Sequence, residues 1–433
     1  MVFKKTNPLG VLLILVLLLL PGIGLFALTA PETLDTGDDR FSLKIAVIGP
    51  GDELYFWWGH IALIVEDRIT GRSLFYDYGI FSFDNENFFL NFAMGRLLYS
   101  CGVSPAELNY QNYIRTNRDI TVYTLDLSPE VKEEVRRFAE NNVLPENRDY
   151  FYHHFKDNCA TRIRDILDLA TGGQFKERFG QAPGRYTLRQ HVRRHTWFSP
   201  FFDWLLNFLM GQDIDLPITV WEEMFLPGEI GARIQDFRYI DPSGRERPLV
   251  SAGETLSRAV NRPPVLEIPR RQWPRELLLG FFITVVFAGL ILWGKGKPGF
   301  PRVCLGLGQS FLGFFFGLAG TVLFFMTLFT DHDYTYHNSN ILYINPLLLA
   351  ALPLGIIFAF TGDKKKQLSA ARFLRVLWTY VFFGGILTMA IKLLPGFYQQ
   401  NQVTQALVLP IALVLSSIPS RGRKLLKALK HSG

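Results

Sequence analysis

The sequence predicts an α+β domain outside the membrane followed by an all-α domain of five transmembrane helices. Three observations carry that expectation. The 433-residue chain is 48 % hydrophobic before its 37 glycines are counted, more than an ordinary soluble protein needs. Its apolar residues gather in charge-free stretches instead of spreading evenly. Its basic residues fall in alternate connections between those stretches, the positive-inside pattern of a multi-pass protein.

The charge-free stretches run from Thr6 to Pro31, Leu277 to Gly294, Val303 to Thr330, Asn338 to Gly362, Val376 to Ile391 and Leu393 to Ser420. All but the first read as spans of a hydrocarbon core about 30 Å thick. The shortest, Val376 to Ile391, has Lys392 placed to snorkel. In the first, Lys4 and Lys5 precede the apolar run Val11 to Leu20, and Leu28-Thr29-Ala30 offers a cleavage site. Residues 1–30 therefore read as a signal peptide or signal anchor, 32–272 as an exported domain, 275–420 as the membrane domain and 421–433 as a basic cytoplasmic tail.

With the amino terminus inside, the inner segments hold Lys295, Lys297 and Arg302, then Lys364 to Lys366, Arg372 and Arg375, then the basic tail. The outer loops, Asp331 to Asn340 and Pro395 to Gln402, hold no lysine or arginine. The net charge of +6 is thus concentrated inside, and the exported part is mildly acidic. Nucleic-acid binding has no support. The expected location is the bacterial inner (cytoplasmic) membrane, with the soluble domain on the periplasmic side.

Within the exported domain, Phe41 to Ile48 reads as a strand that ends in the turn Pro50-Gly51-Asp52. Ile61 to Val65 and Ser73 to Tyr78 read as a hairpin about a turn near residue 69, which pairs position 61 with 77. Ile120 to Leu125 is a further strand, and Ser128 caps a helix running to about Asn141. A helix opens at Cys159 and stops near Gly172-Gly173. Residues 243–274, rich in Arg and Pro, read as a linker to the membrane.

Two short motifs carry chemistry. Trp58-Gly59-His60 opens the first hairpin strand, and Asp157-Asn158-Cys159 opens the later helix. A cysteine at a helix start sits beside unpaired amides and the positive end of the dipole, which favour a thiolate and can hold an oxyanion. Asn158 is placed to cap that helix. His60 supplies a base, and Asp77 on the returning strand supplies a group to orient the imidazole. The competing reading is a Cys101–Cys159 disulfide in an exported domain. Cys304 reads as a small packing residue in a span. His153, His154, His191 and His195 read as solvated loop residues, and no metal or other cofactor is implied.

Phe56-Trp57-Trp58-Gly59-His60, Phe75-Tyr76-Asp77-Tyr78-Gly79 and the run from Tyr152 to Asp165 resemble the exported domain of the Lnb-type lipoprotein N-acyltransferase family. The loop Asp331 to Asn340 with Asn345-Pro346 resembles that family's polar segment between membrane helices. The resemblance implies a permuted papain-like fold of the NlpC/P60 type, with histidine ahead of cysteine. It implies Cys159 as nucleophile, His60 as base and Asp77, or a neighbouring tyrosine, as third residue. Trp58, Asn158, His332, His337, Asn338 and Asn340 would then contact substrate. The implied partners are a membrane phospholipid as acyl donor and a diacylated lipoprotein as acceptor. Phe88 to Leu98 and Phe198 to Met210 could cover an acyl chain, the second as a helix lying on the outer leaflet. Two other classes remain open on sequence: a membrane-tethered cysteine peptidase or amidase of cell-wall peptides, and a non-catalytic envelope assembly protein.

Overall fold

The structure, a computed structural model, describes residues 39–81, 87–294 and 299–417. The expected leader, the inner segment at 295–298 and the basic tail lie outside the described residues.

The exported half is built on a seven-stranded antiparallel sheet in the order β6-β4-β3-β2-β1-β5-β9. Its strands are β1 (Phe41–Ile48), β2 (His60–Asp67), β3 (Arg72–Ile80), β4 (Leu98–Pro105), β5 (Ile120–Leu125), β6 (Asp149–Phe151) and β9 (Val250–Ser257). A small ribbon pairs β7 (Arg238–Ile240) with β8 (Glu246–Pro248). Helices α1 (Phe88–Ala93), α2 (Ala106–Arg115), α3 (Pro129–Asn142), α4 (Cys159–Ala170) and α5 (Gln174–Phe179) follow or separate the strands. After them come α6 (Leu188–Thr196), α7 (Pro200–Leu209), α8 (Val220–Glu223) and α9 (Pro227–Ile234).

The middle of the sheet, Ile45 to Ile48 of β1 and Ile61 to Val65 of β2, is apolar at every position because both faces of the sheet are covered. Ile45, Leu63, Tyr76 and Tyr78 pack with Ile163 and Leu167 of α4, Val135 of α3 and Ile230 of α9. Ala46, Ala62, Ile64 and Phe75 pack on the other face with Ala106 and Tyr113 of α2. Ser128 caps α3 as expected, its side chain accepting from the Val131 amide. The expected linker at 243–274 instead contains β8 and the edge strand β9. β9 pairs with β5, yet six of its eight residues are exposed, so it lacks the apolar alternation that marks a strand.

The membrane half comprises α10 (Trp273–Trp293), α11 (Gly299–Phe329), α12 (Ala351–Phe360), α13 (Lys364–Ala390) and α14 (Gln402–Ser416). Three segments, Trp273–Trp293, Gly299–Phe329 and Lys364–Leu393, are long and apolar enough to cross a membrane; Pro346–Phe360 and Gln402–Ser416 are shorter. The stretch from Asn338, expected as one continuous span, starts with 3-10 turns at Ser339–Leu342 and Pro346–Ala350. Its backbone is pressed into α11 where glycines make room. A Cβ on Gly317 would lie 2.6 Å from the Leu349 amide nitrogen, and one on Gly320 2.5 Å from that of Asn345. Irregular backbone is tolerated at this depth because it is enclosed by protein.

α7 is not a free interfacial helix. Trp204 and Phe208 stack 5.4 Å apart, and Trp204 meets Phe315 of α11 at 5.4 Å, so this exported helix shares the core of the membrane half. Phe201, in its first turn, is exposed.

Candidate active site

The site lies at one end of the sheet, where β2 begins, β3 ends and α4 starts. Gly59 precedes His60 with φ +81°, and a Cβ there would stand 2.7 Å from the Ile48 carbonyl oxygen, so only glycine delivers the chain into β2 at this angle. His60 then pairs with Ile48 of β1. The β2–β3 hairpin closes through 68–71, with Gly71 at φ +67°, in a register that sets Ala62 opposite Asp77.

That register corrects the expected pairing of 61 with 77 by one residue, and the correction decides the site. Side chains alternate across a sheet, so the expected register would have put Asp77 on the face away from His60. In the observed one they share a face as diagonal neighbours, and His60 Nε2 lies 2.9 Å from Asp77 Oδ1. Both atoms are buried and neither has another hydrogen-bond partner; the N–H direction misses the carboxylate oxygen, which makes this a close ion pair more than an aligned bond.

Gly79 completes the seat of the imidazole. The β3–β4 ladder shifts between Tyr78 and Ile80, which leaves Gly79 as a bulge residue. A Cβ on Gly79 would come within 3.0 Å of His60 Cε1 and 3.4 Å of Asp77 Oδ1. The imidazole side chain is only 13 % exposed. Burial disfavours its cation, but the Asp77 carboxylate, with Tyr113 and Cys159 behind it, outweighs this and raises the His60 pKa well above its ordinary range.

Cys159 is the first residue of α4 and is buried. Asn158 is its N-cap as expected: Oδ1 accepts from the Ala160 and Thr161 amides at 2.8 and 2.9 Å, and the Asn158 amide donates to Thr161 Oγ1 at 2.7 Å. Asn158 Nδ2 is spent on the His154 and Phe225 carbonyls, so its side chain fixes the start of the helix. The turn before it is clamped by Arg162, which grips Asp157 and lies 4.3 Å over the Tyr150 ring. Cys159 lies within the electrostatic reach of His60.

Sequence reasoning missed the tyrosines around the thiol. Tyr99 and Tyr152 stack with ring centroids 4.2 Å apart, and Tyr150 donates to the Tyr78 carbonyl at 2.6 Å. Burial, and then the field of Cys159, pushes the Tyr99 pKa up to about 12. Tyr113, whose ring centroid is 6.4 Å from that of His60, and Arg118, stacked on Tyr113 and Phe56, close the other side. A tyrosine-rich strand end was the visible signal for the first group; Arg118 had none. The two candidate disulfide partners are free thiols. Cys101 sits in β4 opposite Tyr78, and burial pushes its pKa up to about 12.

The outer loop from Asp331 reaches this end of the domain. Asp333 pairs with His153 at 2.8 Å and with Lys156 at 2.5 Å, both in the turn leading to Cys159. His332 is buried, with Nε2 on the Phe92 carbonyl and Nδ1 accepting from Tyr334. Asn338 and Asn340 point inward: their amides donate to the Phe208 carbonyl at 2.9 Å and their oxygens accept from Gln399 and Asn401. These two fasten the loop to α7. His337 holds Asp213 at 2.9 Å and is largely exposed. Trp58 is partly buried against Val192, Met210 and Ile214. The remaining histidines are not solvated loop residues: His191 and His195 lie buried in α6, His191 on Glu223 at 3.0 Å.

The family model for the Lnb N-terminal periplasmic domain matches residues 37–194, and that for the Lnb transmembrane domain matches residues 273–419. The chain belongs to the Lnb family. No curated protein and no solved structure matches it. Membership in the Lnb family makes this a membrane protein with a periplasmic domain, and the His60–Asp77–Cys159 cluster falls inside the periplasmic match.

Proposed function

We propose that this protein is a cysteine acyltransferase of the inner membrane that moves an acyl chain from a phospholipid, through a thioester on Cys159, to the amino-terminal amine of a diacylglyceryl-cysteine lipoprotein. The observation that carries the reading is the His60–Asp77 pair at the strand end beside the thiol of α4. It fits a thiolate nucleophile with an oriented proton carrier. His60 takes the Cys159 proton; the thiolate adds to the ester carbonyl; and the imidazolium returns the proton to the departing glycerol oxygen, leaving a thioester and a lysophospholipid. The lipoprotein amine then adds to the thioester carbonyl and passes its proton to His60. Collapse expels the Cys159 sulfur and leaves an amide. The Cys159 backbone N–H, at the head of α4 and outside the Asn158 cap, is a donor for the oxyanion of both steps. Asp333, bonded to the turn that carries Cys159, ties this chemistry to the membrane half.

Mass spectrometry of a reporter lipoprotein tests the reading. The amino terminus should gain one acyl group when the protein is present, and gain none with Cys159→Ser or His60→Ala. A blocked amine at unchanged lipoprotein mass would mean that the lipoprotein's own glyceryl ester supplied the chain and would overturn the phospholipid donor. An unmodified lipoprotein together with cleaved cell-wall peptide would replace the transferase with an amidase.

A further inference from the structure

At the outer end of the membrane half lies a cavity of about 390 Å³. Leu328 at the end of α11, Leu342 and Ile391 make an apolar wall, and His337, Ser339 and Lys392 make a polar one. A cavity with two such walls suits an amphiphile better than a soluble anion. Lipid-facing side chains adjoin it, since Leu393, Leu394 and Phe397 are all exposed.

Lys392 is the informative residue. Expected to snorkel outward, it turns inward: Nζ donates to the side-chain oxygens of Asn401 and Gln405, which are neutral. Among the described residues no carboxylate pairs with it. Asp215, the acid whose field reaches Lys392, is committed to Arg189 Nε at 2.7 Å and to the Gln400 amide at 2.9 Å. His337, which lines the same cavity, holds φ +51°, a left-handed conformation that a non-glycine residue adopts at a cost. The neighbouring amides are used up, Gln399 Nε2 by Met210 and Asn338. An ammonium turned into a bundle without a counterion is unfavourable until an anion joins it.

We propose that this cavity seats the phosphate-bearing headgroup of a membrane lipid, with the phosphate on the Lys392 ammonium and the upper acyl carbons along Leu328, Leu342 and Ile391. The site extends the lipid-handling function proposed above, but it does not rest on the thioester chemistry.

The test is lipid retention by the full-length chain purified in mild detergent. The protein is incubated with dioleoyl phosphatidylglycerol or with dioleoylglycerol, passed through gel filtration, and its bound lipid is quantified by mass spectrometry. Phosphatidylglycerol should be retained and dioleoylglycerol not. Lys392→Gln, which keeps hydrogen bonding but removes the charge, should weaken retention about tenfold or more, the scale of one charge-assisted hydrogen bond. Leu342→Trp, which fills the cavity and leaves Lys392 in place, should do the same, so the test survives if one variant fails to fold. Cys159→Ser should bind like the wild type, which separates failure of this site from failure of the transferase reading. Equal retention of the two lipids, or unchanged retention in a folded Lys392→Gln protein, would overturn the proposal. Displacement of the lipid by millimolar inorganic phosphate alone would reassign the cavity to a free anion.

Discussion

Two buried polar clusters in this protein are built in opposite ways. Around Arg189, where the exported half meets the membrane half, the bonding groups are satisfied. Fully buried Arg189 donates Nε to Asp215, Nη1 to the Asn207 carbonyl and Nη2 to the Met210 and Gly211 carbonyls, at 2.6 to 2.9 Å. Asn338, Asn340, Gln399 and Asn401 close their own ring of bonds beside it. At the strand end, by contrast, His60 Nε2, Asp77 Oδ1 and Arg118 Nη2 are buried with no aligned hydrogen-bond partner. A saturated network holds parts together and has nothing left to give a substrate. An unsaturated one is costly in the resting protein, and groups in that state can answer charge that develops during a reaction.

The contrast is broken most severely from the saturated side. Arg189→Ala strands the Asp215 carboxylate and three carbonyl acceptors, and losing one partner of a buried ion pair costs about 3–5 kcal/mol. We expect a lower unfolding temperature in detergent and loss of periplasmic-domain docking, seen as new protease cleavage between the halves. Gly211→Ala should act alike, because a Cβ there collides with the Tyr336 carbonyl oxygen of the outer loop. If Arg189→Ala keeps the wild-type unfolding temperature, the interface is not held by this network.

The strand end should show the reverse pattern, with activity falling while the fold holds. Asp77→Asn removes the group that orients His60 and should lower acyl transfer about a hundredfold, within the range for proton-transfer groups. Gly79→Ala should push the imidazole by a few tenths of an ångström and cost roughly tenfold, less than the penalty for a full ångström of misplacement. The pair also has a pH signature. His60 binds its proton more tightly folded than unfolded. Its stabilising contribution is therefore complete below about pH 6.5 and is lost as the pH rises through the higher folded value. Unfolding temperatures measured from pH 5 to 9 should show this slope in the wild type and a flatter one in Asp77→Asn; identical slopes would mean that Asp77 does not set the protonation of His60.

The smallest effect separates the two periplasmic thiols. Cys101→Ser should leave transfer intact and cost about 1 kcal/mol or less, since it swaps one small buried group for another. Iodoacetamide at pH 8 should label Cys159 and spare Cys101, whose pKa is about 12. Equal labelling of both would remove the distinction on which the nucleophile assignment rests.

The class of each half was legible in the chain because it depends on local pattern. Charge-free stretches, loop charges, the β2–β3 alternation, the Ser128 cap and the helix opening at Asn158-Cys159 are all set by residues near one another in sequence. His60, Asp77 and Cys159 could be named as types in motifs for the same reason. Only the tertiary structure decided what long-range packing controls. A one-residue shift in hairpin register put Asp77 on the face of His60, and a bulge at Gly79 made the room. Strand β9 formed because β5 offered an edge and not because its own residues are apolar. The stretch from Asn338 gave up helix at its start because glycines on α11 admit a backbone and because α7, Gln399 and Asn401 supply partners for its amides. Lys392 turned inward for a related reason: the oxygens that receive it lie on the next helix, nine and thirteen residues further along the chain. Periodicity reports which way a side chain faces on its own element, but the partner that meets it is fixed by how distant elements come together.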